Sequence, residues 1–443
     1  MRVCVEGKRA ADAYAGALIV SPISSYRRLL ALTGPAYVVV AFLGRLPLAM
    51  SQLGTLLLVS TVTGSYGLGG LAAGALAVAN AVGAPLAGGI ADRHGQRPVV
   101  LVQAVSAGIV LSALVVAAET GARASTLVVL AAVTGFLMPQ VGPFARARWR
   151  PITRGAGQAQ PRLVDAAFSS EGAADEASFV LGPGLVGVFA VAVSPGGALL
   201  IAAALLVVFG CWFALDQTAR LAHAEQPARL GAPVRLVTVA FVVLFVAQLF
   251  IGVVFGATQT GTTVLATAVG EPGLAGLVHA LLGVGSVIAG LAVVWLPRRF
   301  GYELRMIVAA AGLFVLALPL LVVDSLGGLV IVVLALGIAV APYMISVFAL
   351  AEKIVPPTRV GAAMTLLAGA TGIGYALGSG IAGQLADLGG HTPAFAVTVA
   401  AGLFALVLTT TFRSRLAAQQ RRVEDIHPDD LPAVGAGSRS IRH

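Results

Sequence analysis

Residues 88–97 read GGIADRHGQR, a charged decapeptide that lies between two long apolar stretches. Asp92, Arg93 and Arg97 stand out, because no other Asp, Glu, Lys or Arg occurs between residues 46 and 118. Glycines lie on both sides of these charges. The sequence on either side of the decapeptide therefore indicates in which class of protein these charges are tolerated.

The composition of the chain indicates a membrane protein. Hydrophobic residues make up 58% of the sequence, charged residues only 11%, and the mean hydropathy is +0.94. A soluble domain carries about 25% charged residues. An apolar segment of about 20 residues crosses the roughly 30 Å of bilayer hydrocarbon, and within lipid such a segment must be a helix.

The sequence predicts an all-α integral membrane protein with twelve transmembrane helices. The predicted spans are residues 34–60, 68–91, 98–118, 125–145, 167–192, 196–215, 236–266, 273–296, 306–323, 326–350, 361–385 and 393–412.

The basic residues predict the orientation in the membrane. With both termini cytoplasmic, every Lys and Arg except Arg45 and Arg123 falls in a cytoplasmic tail or loop, including Arg146, Arg148 and Arg150 after span four. This distribution follows the positive-inside rule. The net charge of +9 therefore orients the chain in the plasma membrane, and no nucleic-acid partner is expected.

The polar segment 216–235 divides the spans into two groups of six. A shift of 206 residues superimposes GSYGLGGLAAGAL on GEPGLAGLVHALL without a gap, which indicates two related halves. The predicted organisation is a cytoplasmic tail at 1–28, a six-helix bundle at 29–215, a linker at 216–235, a second bundle at 236–412 and a disordered tail at 413–443.

The decapeptide also carries a recognisable motif. Gly88, Asp92, Arg93, Gly95 and Arg97 belong to a G-x-x-x-D-R-x-G-Q-R pattern between spans two and three. This pattern resembles the signature loop of the major facilitator superfamily, whose secondary transporters have two six-helix bundles. The resemblance covers nearly the whole chain and implies alternating access. The sequence holds no G-x-x-x-x-G-K-[ST] phosphate loop for ATP hydrolysis.

We expect residues 88–97 to form a gating loop. Gly88 would let span two approach a neighbouring helix, and Gly95 would allow a tight turn. By resemblance, Asp92 would stabilise the positive N-terminal end of span eleven near Gly361. Arg93 and Arg97 would face lipid headgroups or pair with Asp92. The alternative is that these charges only orient the hairpin.

Four charged residues lie inside predicted spans, namely Arg45 in span one and Glu171, Asp175 and Glu176 in span five. Each such charge costs about 2.5–3.5 kcal/mol on insertion scales and is a functional candidate. Glu171 and Asp175 lie one helical turn apart, where mutual repulsion favours protonation of one of them. We expect Arg45 to pair with Asp175 or Glu176, and a proton or substrate to break this pair. The alternative is a static structural ion pair.

By resemblance, spans one, four, seven and ten line a central cavity. Their polar residues are sparse, which predicts an amphipathic or uncharged substrate. The candidate substrate-cavity residues are Gln52, Gln140, Gln248, Gln259 and Tyr343. Helix kinks are predicted at Pro47, Pro139, Pro183 and Pro342.

The prediction for function is proton-coupled export of small amphipathic organic compounds by a monomer. Its partners are a small-molecule substrate, protons and the lipid bilayer. Gly182 and Pro183 resemble a Gly-Pro motif in span five of the family's proton-driven exporters. The sequence shows no nucleophile–base pair, metal cluster or cofactor loop, so neither an enzyme nor a cofactor is predicted. An uptake symporter and a non-transporting membrane sensor or scaffold are the alternatives.

Overall fold

A computed structural model describes residues 22–221, 238–292, 301–355 and 360–424 of the chain. Eleven helices in these ranges are long and apolar enough to cross a membrane, and a shorter apolar helix, Leu274–Gly290, stands at the position of the predicted span eight. The predicted all-α architecture of twelve spans is confirmed.

The helix bounds are as follows. Spans one to six are Pro22–Leu43 with Leu46–Thr63, Tyr66–His94, Gln96–Glu119, Ala124–Leu137 with Val141–Ile152, Gln160–Ala192 and Pro195–Leu215. Spans seven to twelve are Val239–Ala268, Leu274–Ala292, Tyr302–Ala317, Leu326–Ile354, Val360–Gly389 and His391–Thr411. Shorter helices are Arg154–Ala159, Thr218–Leu221, Leu318–Leu321 and Arg413–Glu424.

Spans one and four are each broken into two helices. Span one is interrupted at residues 44–45, and Pro47 lies in the first turn of its second helix. Span four is interrupted at residues 138–140, a segment that contains Pro139. Proline cannot donate a backbone hydrogen bond, so it suits the start of a helix better than its interior.

The helices of spans five and ten, in contrast, continue through Pro183 and Pro342. The sequence predicts kinks at both positions, and the helices run through them without a break. Within a membrane, packing of neighbouring helices and side-chain hydroxyls compensates for the lost hydrogen bond of a proline.

The twelve spans return the chain to the side of the bundle where it began. We call this the terminal side, and the opposite one the distal side. Residues 88–97 join spans two and three on the terminal side, and spans one, three, five, seven, nine and eleven run from the terminal to the distal side.

The two halves meet along spans two and eleven and along spans five and eight. A Cβ placed on Gly70 would collide with the backbone carbonyl of Ser379, and one on Gly276 would collide with a backbone carbonyl of span five. These contacts lie toward the distal side. On the terminal side, a Cβ placed on Gly88 or Gly369 meets nothing within 4 Å in the described part of the chain. The described residues thus show the two halves closed against each other on the distal side.

The terminal segments differ from their predicted extents. A helix begins at Pro22, within the segment predicted as a tail, and Gly34, with a φ of +77°, separates it from the rest of span one. The segment predicted as a disordered tail begins with the helix Arg413–Glu424, because Leu416 is fully buried in the core of the second half. Most of the predicted linker and the end of the chain lie outside the described residues.

Candidate functional site

The charged residues of spans one, four and five come together in one network. Arg45 lies at the break of span one, where it forms an ion pair with Glu171. Its Nε atom lies 3.3 Å from Oδ1 of Asp175. Arg146, in the second helix of span four, pairs with Oδ2 of the same Asp175. Two arginines and two carboxylates therefore face each other within the bundle.

Every carboxylate oxygen in this network has a partner. Trp149 donates a hydrogen bond of 2.7 Å from Nε1 to Oε1 of Glu171, while Arg45 contacts Oε2 of Glu171. The two oxygens of Asp175 contact Arg45 and Arg146. Buried charges are tolerated when they are paired in this way, although Nε of Arg45 makes no hydrogen bond within the described part of the chain.

Exposure differs between the two ends of the network. The side chains of Arg45 and Glu171 are each only 6% exposed. The side chains of Asp175 and Arg146 are 27% and 34% exposed. Asp175 is therefore the carboxylate that water reaches more readily, and Glu171 is the protected one.

The break in span four makes room for this arrangement. A Cβ placed on Gly142 would lie 2.7 Å from Oδ1 of Asp175 and 3.4 Å from Nε of Arg45. The breaks of the two spans also adjoin each other, because a Cβ placed on Gly44 would lie 3.5 Å from a methyl group of Val141. Broken helices at membrane depth are typical of substrate and ion sites in transporters.

The partner of Arg45 differs in part from the prediction. Asp175 was expected, and it lies within ion-pair distance, but Arg45 also binds Glu171, one turn earlier. This follows from helix geometry, since residues four apart lie on one face and can share a guanidinium group. The side chain of Glu176 lies outside the described residues.

Arg146, Arg148 and Trp149 were missed as site residues, because the apolar run of span four ends near residue 145 and basic residues after it suggest a cytoplasmic loop. In the structure they lie on the helix Val141–Ile152, and Arg148 is fully buried. The spacing of charged and aromatic residues in spans four and five does indicate this pairing. Spans four and five are antiparallel. Arg146 and Trp149, three residues apart, therefore lie opposite Asp175 and Glu171, which are four residues apart.

The gating loop is anchored to the first half by a residue of its motif. Arg148 donates a 2.9 Å hydrogen bond from Nε to Oε1 of Gln96. Gly95 has a φ of +88°, a conformation that favours glycine. Arg93 is exposed and Arg97 half-buried.

The contact predicted between the gating loop and span eleven falls partly outside the described residues. Asp92 is exposed and has no hydrogen bond or ion pair with any described residue. A Cβ placed on Gly88 meets nothing within 4 Å in the described part of the chain. The start of span eleven near Gly361 adjoins residues 356–359, which lie outside the described ranges.

Three of the predicted cavity residues are buried within the second half. Gln248 donates to Oγ1 of Thr371 at 2.9 Å, and Tyr375 donates to Oε1 of Gln259 at 2.8 Å. Tyr343 is fully buried and donates to a backbone carbonyl at 3.0 Å. In this conformation they join helices of one half and do not line a cavity. This corrects the prediction, which could not distinguish a cavity face from a helix seam.

The other two predicted cavity residues are partly exposed and lie near the network. Gln52 is half-buried in the second helix of span one. Gln140 is half-buried in the break of span four, where its side chain donates to the carbonyl of Met138 at 3.4 Å. Both sit in the first half, as do all four charged side chains of the network.

Comparison with known proteins gives a consistent assignment. The family model of the Major Facilitator Superfamily matches residues 29–328 and 244–438. No curated protein matches the chain. A crystal structure of the nucleoside transporter NupG is similar to it, with a TM-score of 0.65, 17% identity and coverage of 85% of this chain and 97% of that one.

A POT family transporter in complex with a thioalcohol-conjugated peptide is also similar, with a TM-score of 0.63 and 14% identity over 88% of this chain and 96% of that one. At such identities the likeness to solved structures shows the fold alone. The family model spans most of the sequence and the fold agrees with it. This multi-pass membrane protein belongs to the Major Facilitator Superfamily of secondary transporters.

Proposed function

We propose that the chain is a proton-coupled exporter of small amphipathic organic compounds, which works by alternating access. We place it in the plasma membrane as a monomer with both termini in the cytoplasm, the orientation that its basic residues favour. The observation that carries the proposal is the network in which Arg45, Arg146, Glu171 and Asp175 balance one another inside the bundle.

The exposure of Asp175 makes it the proton carrier of this proposal. A proton from water forms an O–H bond with one carboxylate oxygen of Asp175, and the carboxylate loses its negative charge. Arg45 and Arg146 then face the single charge of Glu171. An unbalanced charge in a low dielectric is costly, so this step favours a rearrangement of the helices. Release of the proton restores the balanced network.

The polar groups of the second half support an amphipathic substrate. One polar atom each of Gln248, Gln259 and Tyr343 already has a partner within that half. A substrate with many hydroxyl or amide groups would need free partners from both halves, since unpaired polar groups lose affinity. A compound with a large apolar surface and few polar groups needs fewer of them.

The distal closure of the halves agrees with the state in which an exporter loads its substrate. The contacts that close the halves lie on the distal side, and the terminal side is the proposed cytoplasmic side. Asp92 has no partner among the described residues, which is consistent with this state, because the proposed contact with span eleven would close the terminal side.

Proton-coupled uptake of a small polar metabolite is the second candidate. The observation that favours it is the similarity to structures named as nucleoside and peptide transporters. Uptake would use the same network and the same states in the opposite order.

Transport by inside-out vesicles distinguishes these candidates. Vesicles with an acid interior and an internal pH dye would receive a panel of amphipathic cations, uncharged drugs, nucleosides and dipeptides. Export predicts that an amphipathic compound discharges the pH gradient with the wild type but not with Asp175→Asn. The matched control is Asp324→Asn, a distal exposed carboxylate. Discharge by Asp175→Asn at the wild-type rate, or a response only to nucleosides or dipeptides, would contradict the proposal.

A further inference from the structure

An aspartate of the second half is bound to the first turn of a helix in the first half. Asp387 lies in the last turn of span eleven. Its Oδ1 accepts a hydrogen bond from the backbone N of Tyr66 at 2.7 Å. Its Oδ2 accepts from the backbone N of Gly67 at 2.9 Å and from the hydroxyl of Ser65 at 2.6 Å. Three donors at the start of span two therefore hold one carboxylate.

The start of span two is well suited to a carboxylate. The first backbone N–H groups of a helix have no partner within the helix, and the helix dipole makes this end positive. Ser65 is the N-cap, and its hydroxyl oxygen accepts from the backbone N of Leu68 at 3.2 Å while its hydrogen points to Asp387. The side chain of Ser65 thus both caps span two and binds the other half.

The contact stands at the distal end of a continuous seam between the halves. A Cβ placed on Gly383 would collide with the backbone carbonyl of Tyr66. Deeper in the membrane, Ser379 donates to the carbonyl of Gly70 at 3.1 Å. The halves cannot separate on the distal side unless Asp387 releases span two.

Asp387 and Asp92 occupy matching positions in an antiparallel pair of helices. Asp92 lies in the last turn of span two and Asp387 in the last turn of span eleven. The last turn of span eleven adjoins the start of span two. In the observed state Asp387 is bound, whereas Asp92 is exposed and has no partner among the described residues.

We propose that Asp387 is a distal latch, which holds the transporter closed on the distal side and open on the terminal side. The inference rests on the proposed alternating access. Release of Asp387 from span two permits distal opening, while the opposite ends of the same two helices approach each other. Asp387 thus sets the balance between the two states and takes no part in proton transfer or substrate binding.

Distances between spin labels on each side of the membrane test this latch. In a variant that lacks Cys4 and Cys211, labels at Ser125 and Thr392 report distal opening, and labels at Gln217 and Ser414 report terminal closure. All four labelled positions are exposed. The measurement needs no substrate and no proton gradient, so it stands apart from the transport assay.

Asp387→Asn removes the charge and keeps the volume of the side chain. We expect the ratio of distally open to distally closed protein to rise about tenfold, because hydrogen bonds to a charged group are lost. The terminal distance should shorten in the same fraction of molecules. The matched control is Asp324→Asn, because Asp324 contacts His391 of its own half at 3.3 Å, and it should leave both distances unchanged.

A second variant tests the latch without a change at Asp387. Ser65→Asp keeps a good N-cap residue but places a carboxylate against Asp387, so it should also favour distal opening. Wild-type distance distributions in both folded variants would overturn the proposal. If the variants open distally but the wild type transports none of the compounds, the distal latch is supported and the proposed function is overturned.

Discussion

Arg45 and Glu171 are separated by 126 residues in the sequence and form an ion pair in which each side chain is only 6% exposed. This pair joins the break of span one to the middle of span five. Asp175 and Arg146 extend it toward water. One end of the network is thus buried and the other more accessible to water, and the proposed role of Asp175 rests on this asymmetry.

The first prediction concerns the stability of this pair. Glu171→Gln leaves Arg45 and Arg146 facing the single negative charge of Asp175, and loss of one partner of a buried pair costs about 3–5 kcal/mol. Arg45→Gln should be similarly unfavourable. The double variant should be more stable than the sum of the two single effects predicts. Thermal unfolding of the purified protein in detergent measures this coupling, and strictly additive effects would contradict the pairing.

The second prediction concerns the space between spans four and five. Gly142→Ala places a methyl group 2.7 Å from Oδ1 of Asp175, so the ion pairs must shift. We expect at least a tenfold loss of transport, measured in vesicles, in a protein that still inserts in the membrane. Gly172→Ala is the matched control, because a Cβ there meets nothing within 4 Å in the described part of the chain. Equal transport by both variants would argue against the network as the site.

The third prediction concerns Trp149. Trp149→Phe keeps an aromatic ring but removes the donor to Oε1 of Glu171. An unsatisfied buried acceptor costs about 1–3 kcal/mol, and more when it is charged. The variant should therefore unfold at a lower temperature than the wild type. Trp212→Phe is the control, since Trp212 is 52% exposed. An equal fall in unfolding temperature in both variants would show that the hydrogen bond to Glu171 does not stabilise the protein.

The fourth prediction separates a structural residue from a substrate residue. Tyr343→Phe removes the hydroxyl that binds the carbonyl of Ala247. It should lower stability by about 1–3 kcal/mol and leave the KM of a transported compound within twofold. A large rise in KM with unchanged stability would restore Tyr343 to the substrate cavity.

The sequence was sufficient to predict the fold because lipid restricts the possibilities. Apolar length gives the number of the spans. Pro139 predicts the break at residues 138–140, but the basic residues after it indicate a loop where the structure has a helix. An amphipathic helix that turns its basic residues inward has the same composition as a basic cytoplasmic loop, so Arg146 and Arg148 were assigned to the wrong environment.

The candidate site could be predicted only in part. Arg45, Glu171 and Asp175 stand out because charges are rare in spans, and their spacing places both acids on one face. The partner of each charge depends on how spans one, four and five pack, and that is a tertiary property. Likewise, a sequence cannot show whether Gln248 faces a cavity or its neighbour Thr371, because both fit the same helical period.

The central claim is that Asp175 carries the coupling proton, and proton release by the purified protein tests it most directly. A compound that discharges the vesicle gradient would be added to protein in weakly buffered detergent solution with a pH dye. We predict proton release by the wild type and by Asp324→Asn, and binding without release by Asp175→Asn. Equal proton release by Asp175→Asn and the wild type would contradict the account.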